Sequence, residues 1–180
     1  MYLLPALYAG AMPNARVGVR LGPPDEVTAW IAQGAAFDAA GADSLWLDLR
    51  EHPEFDPYVL TAALAAVTYR SRLILLAAEE VGEEDSKATT LAAVCRGRLV
   101  HGVEERDEDG GYDLPDDDAE ARRWEHVEFP DGRAAWRTAL AEATERGVHG
   151  LIVPADPRLL DLLRNPDEEI DRRDLQLASG

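Results

Sequence analysis

Between Glu105 and Asp116 the chain sets carboxylates at near-alternate positions: Glu105, Asp107, Asp109, then Gly110, then Asp113 and Asp116. That is the spacing of a calcium loop, in which oxygen ligands wrap one hard cation and a glycine at the sixth position makes the turn. The pattern departs from such a loop in having Glu at the first position and Asp at the twelfth, and it follows an apolar, strand-like run where a helix is needed. Acidic runs of this kind are more commonly solvated than metal-binding. Cys95 has Arg96 beside it, a neighbour that can lower a thiol pKa, yet its place near the end of an Ala-rich helical stretch is that of a core residue. His101 sits within an apolar run, and His126 and His149 flank two others; none has metal-ligand spacing. The chain has no Gly-x-Ser-x-Gly elbow and no phosphate-binding glycine loop, which removes two large classes of hydrolase chemistry.

The elements that must position these residues are legible as alternation. Three short apolar runs, Ser44 to Leu49, Leu73 to Ala77 and Leu99 to Val103, are separated by two Ala-rich amphipathic stretches, the pattern of parallel strands joined by crossover helices. Asp56-Pro57 predicts a helix start, with Asp as the cap and Pro in the first turn, and Leu60, Ala63, Leu64 and Val67 recur on one helical face. Upstream, Ala15 to Leu21 predicts a strand. Gly22-Pro23-Pro24-Asp25 then turns into a helix whose Val27, Trp30, Ile31, Gly34 and Phe37 form a core-facing stripe ended by Gly41. Trp30 therefore reads as core. Downstream, Trp124 to Phe129 predicts a short strand, Asp131-Gly132 opens a helix carrying Trp136, Ala139, Leu140 and Ala143 on one face, and Leu151 to Val153 is a further strand. Pro157 to Leu163 reads as a short Leu-rich helix, and the last residues as a strand or docked tail. Met1 to Asn14, apolar but broken by two prolines and a glycine, reads as an N-terminal arm.

Gly41-Ala42-Asp43-Ser44-Leu45-Trp46-Leu47, Asp56-Pro57-Tyr58 opening LTAALAAVTYRSRL, and Gly97-Arg98-Leu99-Val100 resemble, in order and spacing, the N-terminal half of the luciferase-like monooxygenase family. The resemblance runs from about Pro24 to Val103. It implies a TIM-type (β/α) barrel and a flavin- or deazaflavin-dependent oxidoreductase. An acidic residue and a histidine commonly follow the second strand in that family and face the isoalloxazine ring. This places Asp48 and His52 as catalytic candidates, although Leu49 stands where the histidine is expected and His52 lies three residues further on. The fourth strand in the family leads into a glycine-rich, cofactor-binding turn. The corresponding candidates here are His101 and Gly102, but Glu104 and Glu105 replace the next glycines. A cofactor phosphate beside them would meet like charge at about 1 kcal/mol per close pair in water, and more when desolvated. Glu79-Glu80 and Glu83-Glu84-Asp85 make the loop after the third strand equally acidic; as residues alone they suit a solvated helix start.

Size and charge set the bounds. A chain of 180 residues, 46% hydrophobic, can bury one core, so residues 1–180 read as a single domain with an acidic loop at about 104–118. It is shorter than the roughly 250 residues of an eight-unit barrel, so the expected fold is α/β, either a reduced TIM-type barrel or an open, mostly parallel sheet of roughly five to seven strands with flanking helices. A net charge of -17 disfavours nucleic acid and anionic membranes as partners. One cysteine and no signal-like N-terminus point to the cytoplasm. Open strand edges predict a homodimer that buries part of the N-terminal arm and an Ala-rich helix. The functional expectation is an oxidoreductase using FMN or a deazaflavin coenzyme on a small-molecule substrate. The alternative is a catalytically inactive luciferase-like fold, without cofactor, acting as a binding or oligomerisation partner.

Overall fold

The computed structural model describes residues 15–76, 86–100, 103–106, 110–115 and 121–166. The N-terminal arm, the Glu79 to Asp85 loop, His101, Gly102 and the C-terminal tail lie outside the described residues. The chain begins as the alternation predicts: β1 (Arg16–Leu21), α1 (Val27–Ala40), β2 (Ser44–Asp48), α2 (Pro57–Val67), β3 (Arg72–Leu76), α3 (Ser86–Cys95) and β4 (Leu99–Val100). Helix starts follow their capping chemistry. The Glu26 carboxylate accepts from the Thr28 and Ala29 N–H groups ahead of α1, and Asp56 accepts from Tyr58 and Val59 ahead of α2, with Pro57 in the first turn. Gly41, at φ 101°, closes α1 in a left-handed conformation that a side chain would strain. Trp30, Gly34 and Phe37 are buried as expected, whereas Val27 is 41% exposed because it lies in the first turn, beyond the reach of the sheet.

After β4 the βα repeat stops. The chain continues through β5 (Glu104–Arg106), β6 (Gly111–Pro115) and β7 (Ala121–His126), then resumes with α4 (Gly132–Glu145), β8 (Gly150–Pro154) and α5 (Leu159–Arg164). The expectation of a solvated loop over 104–118 is therefore corrected for 104–106 and 111–115, which are strands, while 107–109 and 116–118 lie outside the described residues. Tyr112 and Leu114 are buried in β6, because a strand presents alternate residues to one face and the apolar pair falls at period two within an otherwise acidic run. Glu104 stands opposite Asp113 and Glu105 opposite Tyr112 in an antiparallel ladder, while Asp107, Asp109 and Asp116 of the calcium-loop pattern lie outside the described residues.

The strand order is β4-β3-β2-β1-β8-β7-β6-β5, and every pairing is parallel except β5 with β6 and β6 with β7. The two ends of this order, β4 and β5, are joined by residues 101–103 alone, a reach of about 14 Å at full extension. A flat sheet would hold its outer strands about 33 Å apart. The sheet therefore curls into a nearly closed barrel. Side chains agree with this: Trp46 on β2 packs against Tyr112 on β6 and Trp124 on β7, with ring centroids 5.2 and 5.7 Å apart, although those strands are not neighbours in the sheet. Trp46, Ile74, Val100, Tyr112, Leu114, Trp124 and Ile152 fill the interior. Val19, Leu21, Leu45, Leu47, Leu73 and Leu75 point outward into a second core under the helices. Eight strands among the described residues exceed the expected five to seven, because hairpins carry the chain across part of the barrel in far fewer residues than the roughly 30 of a βα unit.

Candidate functional site

Strand alternation decides which residues reach the barrel mouth. In β1, Val17, Val19 and Leu21 face the helices, which turns Arg16, Gly18 and Arg20 to the other side; in β2 the same rule turns Ser44, Trp46 and Asp48 inward. Arg20 and Asp48 come near the carboxyl ends of their strands. Pro154 ends β8 beside them, paired in register with Arg20. Below them the mouth is floored by Trp46 and Tyr112, so the barrel is a packed core and any ligand lies over it.

A cleft of about 880 Å³ opens at this mouth, lined by Arg20, Gly22, Pro23, Trp30, Gln33, Asp48, Arg50, Glu51, His52, Pro154 and Ala155. At its base Asp48 holds two arginines. Its Oδ1 accepts from Arg50 Nε at 2.9 Å, and its Oδ2 accepts from both Arg50 Nη2 and Arg20 Nη2, each at 2.9 Å. Arg50 Nη2 also donates to the Tyr112 hydroxyl at 3.3 Å, tying the hairpin strand β6 to the mouth. Burial pushes the Asp48 carboxyl up, but the hydrogen bonds from Arg50 and the positive charges of Arg50 and Arg20 outweigh it and hold the group below the ordinary carboxylate range. Asp48 is thus an ionised anchor at neutral pH. A general acid would need the opposite arrangement.

His52 reaches the cleft from the turn that follows β2, where its N–H donates to the Leu49 carbonyl and its own carbonyl accepts from Phe55 N–H. Phe55 packs against the outer core and so fixes this turn. The His52 ring pairs with Glu54, Nδ1 to Oε1 at 3.2 Å. Asp48 and His52 therefore share one cleft while each is held by its own partners. The cofactor candidates His101 and Gly102 lie outside the described residues, in sequence between the buried Val100 and the half-buried Val103. Cys95 is fully buried, and burial, partly opposed by the charge of Arg98, raises its thiol pKa, as suits a core cysteine. Among the described residues no group of His, Cys, Asp and Glu could hold a metal ion.

Sequence reasoning missed Arg20, Arg50, Gln33 and Tyr112. For Arg20 a signal existed: in RVGVRL the arginines and glycine share one period-two face, opposite the aliphatics, which marks a face turned to the barrel interior or mouth. Arg50 and Tyr112 meet only through the closure of the barrel, which local pattern does not encode. No family model matches the chain, and no curated protein matches it.

Proposed function

We propose that the chain is a luciferase-like, TIM-type barrel protein that binds FMN or a deazaflavin coenzyme over its C-terminal mouth and acts as a flavin-dependent oxidoreductase of the monooxygenase kind. The observation that carries this reading is the cleft itself, which lies where the carboxyl ends of parallel strands converge and sets two arginines in a chain of net charge -17. Its volume lies within the range of small-molecule pockets, and Trp30, Pro23, Pro154 and Ala155 give it an apolar side suited to a ring system. When bound, the coenzyme supplies the redox chemistry. The chain's own groups would bind and orient: Arg20 and Arg50 attract negative charge, Asp48 fixes both guanidinium groups, and His52, at the rim, is the group available to hold or move a proton at its ring nitrogen.

A second reading, the catalytically inactive binding fold, is favoured by one observation: the carboxylate expected to do chemistry, Asp48, is locked between arginines. Titration of FMN and of a deazaflavin coenzyme at low and high salt separates the two. The oxidoreductase reading expects saturable binding that weakens as salt rises and weakens further in Arg50→Gln, since the attraction is between opposite charges. Binding that strengthens with salt would place the coenzyme against carboxylates instead, and absence of binding at both salts would leave the inactive fold.

The expected homodimer is kept as part of this proposal on a changed basis. The sheet ends come together instead of standing open, so the surface offered for self-association is α2 with its neighbour α3. Val59, Val67, Tyr69 and Val94 are exposed there, and α2 carries no charged residue.

A further inference from the structure

Arg20 and Gln33 stand out in the cleft by what they leave unused. The Arg20 side chain is 47% exposed and its one hydrogen bond among the described residues runs from Nη2 to Asp48, so Nε, Nη1 and the second hydrogen of Nη2 have no partner there, and a two-pronged edge of the guanidinium, Nη2 with Nε or with Nη1, is left to bind a ligand. Gln33 lines the same cleft from α1 with no partner for its amide among the described residues. Trp30 lines the same cleft, fixed by donating its indole N–H to the Gly22 carbonyl at 2.7 Å, and Pro154 adds to the wall. Arg20 and Arg50 on one side and Asp48 and Glu51 on the other bring two charges of each sign to the cleft.

We propose that this cleft recognises a small molecule bearing one carboxylate, which Arg20 grips through its open edge while Gln33 hydrogen-bonds a neighbouring polar group and Trp30 and Pro154 carry the apolar body. This deepens, and rests on, the reading of the barrel mouth as the binding site. A planar monoanion matches the flat fork of a guanidinium and can form two parallel hydrogen bonds with it. A phosphate dianion gains less from this one fork, because its tetrahedral oxygens match the planar guanidinium less well and its second charge lies toward Asp48 and Glu51. Asp48 is a positioning residue here: it turns the Arg20 fork and leaves the outer edge free.

The probe is benzoate, with phenyl phosphate and benzamide as comparisons, titrated into the full chain by NMR while following the Arg20 Nε–H and Trp30 Nε1–H signals. Benzoate should shift both signals saturably, and phenyl phosphate and benzamide should each bind about tenfold more weakly. Arg20→Gln should abolish the benzoate response, and Arg20→Lys should restore only part of it, since a point charge lacks the fork. Gln33→Glu, a near-isosteric change on a half-buried side chain that holds no hydrogen bond among the described residues, should weaken benzoate about tenfold by repulsion, so the assignment stays testable if Arg20→Gln fails to fold. Equal or tighter binding of phenyl phosphate, or a benzoate response untouched by both Arg20→Lys and Gln33→Glu, would overturn it. Because no flavin is added, failure here leaves the coenzyme titration standing, and failure there leaves this one.

Discussion

Asp38 sits on the buried side of α1, 4% exposed, and its carboxylate accepts from the backbone N–H groups of Tyr69, Arg70 and Ser71 at 2.9, 2.9 and 2.7 Å. It fastens the turn between α2 and β3, so the first two crossover units share one peg. Burial pushes this carboxyl up, but the three donated hydrogen bonds outweigh that and hold it below the ordinary range. Asp38→Ala should cost on the order of 3 kcal/mol at neutral pH, because the donors it satisfies lose their partner. A group whose folded pKa is depressed contributes stability above its unfolded pKa and loses it as pH falls through the folded value. The gap between parent and variant in urea unfolding should therefore narrow below about pH 4. An equal gap at pH 7 and pH 3 would mean that the side chain matters for packing alone. Arg98 is the counterpart at the other end of the turn, donating to the carbonyls of Ala65, Thr68 and Ser71 and to the Thr68 hydroxyl. Arg98→Lys should lose about 2 kcal/mol in the same assay, since one ammonium cannot reach four acceptors in two directions; an unchanged midpoint would show that charge alone suffices. Neither role was legible as chemistry in the sequence. Asp38 reads as one polar residue near a helix end and Arg98 as part of a Gly-Arg motif, because each acts on backbone groups about thirty residues away.

At the level of elements, pairs of large and small residues across neighbouring strands set the barrel's width. A Cβ at Gly18 on β1 would run into the Trp46 indole nitrogen and the Ser44 hydroxyl on β2, and one at Gly150 on β8 would run into the six-membered ring of Trp124 on β7. Trp46 Nε1 donates to Ser44 Oγ at 2.9 Å, so that ring is held by a hydrogen bond as well as by packing. Gly150→Ala should destabilise by about 2–3 kcal/mol through overpacking and should alter the near-UV circular dichroism of the buried indoles. A thermal midpoint and near-UV spectrum like the parent's would show that the interior has slack. The first three strands and two helices were legible because strand and helix periods alternate cleanly and each helix carries its own cap. The β5-β6 hairpin was not, and of β7 only the part from Trp124 onward was, inside an expected strand over Trp124 to Phe129. The composition of the hairpin is dominated by carboxylates, and only the spacing of Tyr112 and Leu114, with Trp124 beyond, carries the strand signal that composition hides. The same stretch explains how a chain too short for eight βα units curls a sheet nearly closed, since hairpins join strands without spending residues on crossover helices.

At the scale of the whole molecule, the helix α2 stands out among the described residues by carrying no charge in a strongly acidic chain. The chain carries 35 acidic against 18 basic residues, yet α2 reads PYVLTAALAAV, without a charge, and Val59 and Val67 on it stand 64% and 39% exposed. Tyr69, just beyond its end, is 67% exposed with Arg96 over its ring, and Val94 on the adjoining α3 is 38% exposed. A helix apolar on all sides has a second face to cover, and in a strongly acidic protein that face is the one least opposed by like charge when two copies meet. A twofold arrangement brings the same patch from each copy together, which satisfies both at once. Light scattering at micromolar concentration should then give twice the 19.7 kDa of one chain. Val59→Glu combined with Tyr69→Glu, both on exposed positions where substitution leaves the core intact, should shift the mass to that of a monomer while the thermal midpoint of the dilute protein changes little. Raising the salt should tighten the parent dimer by screening the repulsion between two acidic chains, which is the reverse of what a salt-bridged interface would do. A parent of 19.7 kDa at every salt concentration would show that this face stays open to solvent, and a dimer that survives both glutamates would put the contact elsewhere on the molecule.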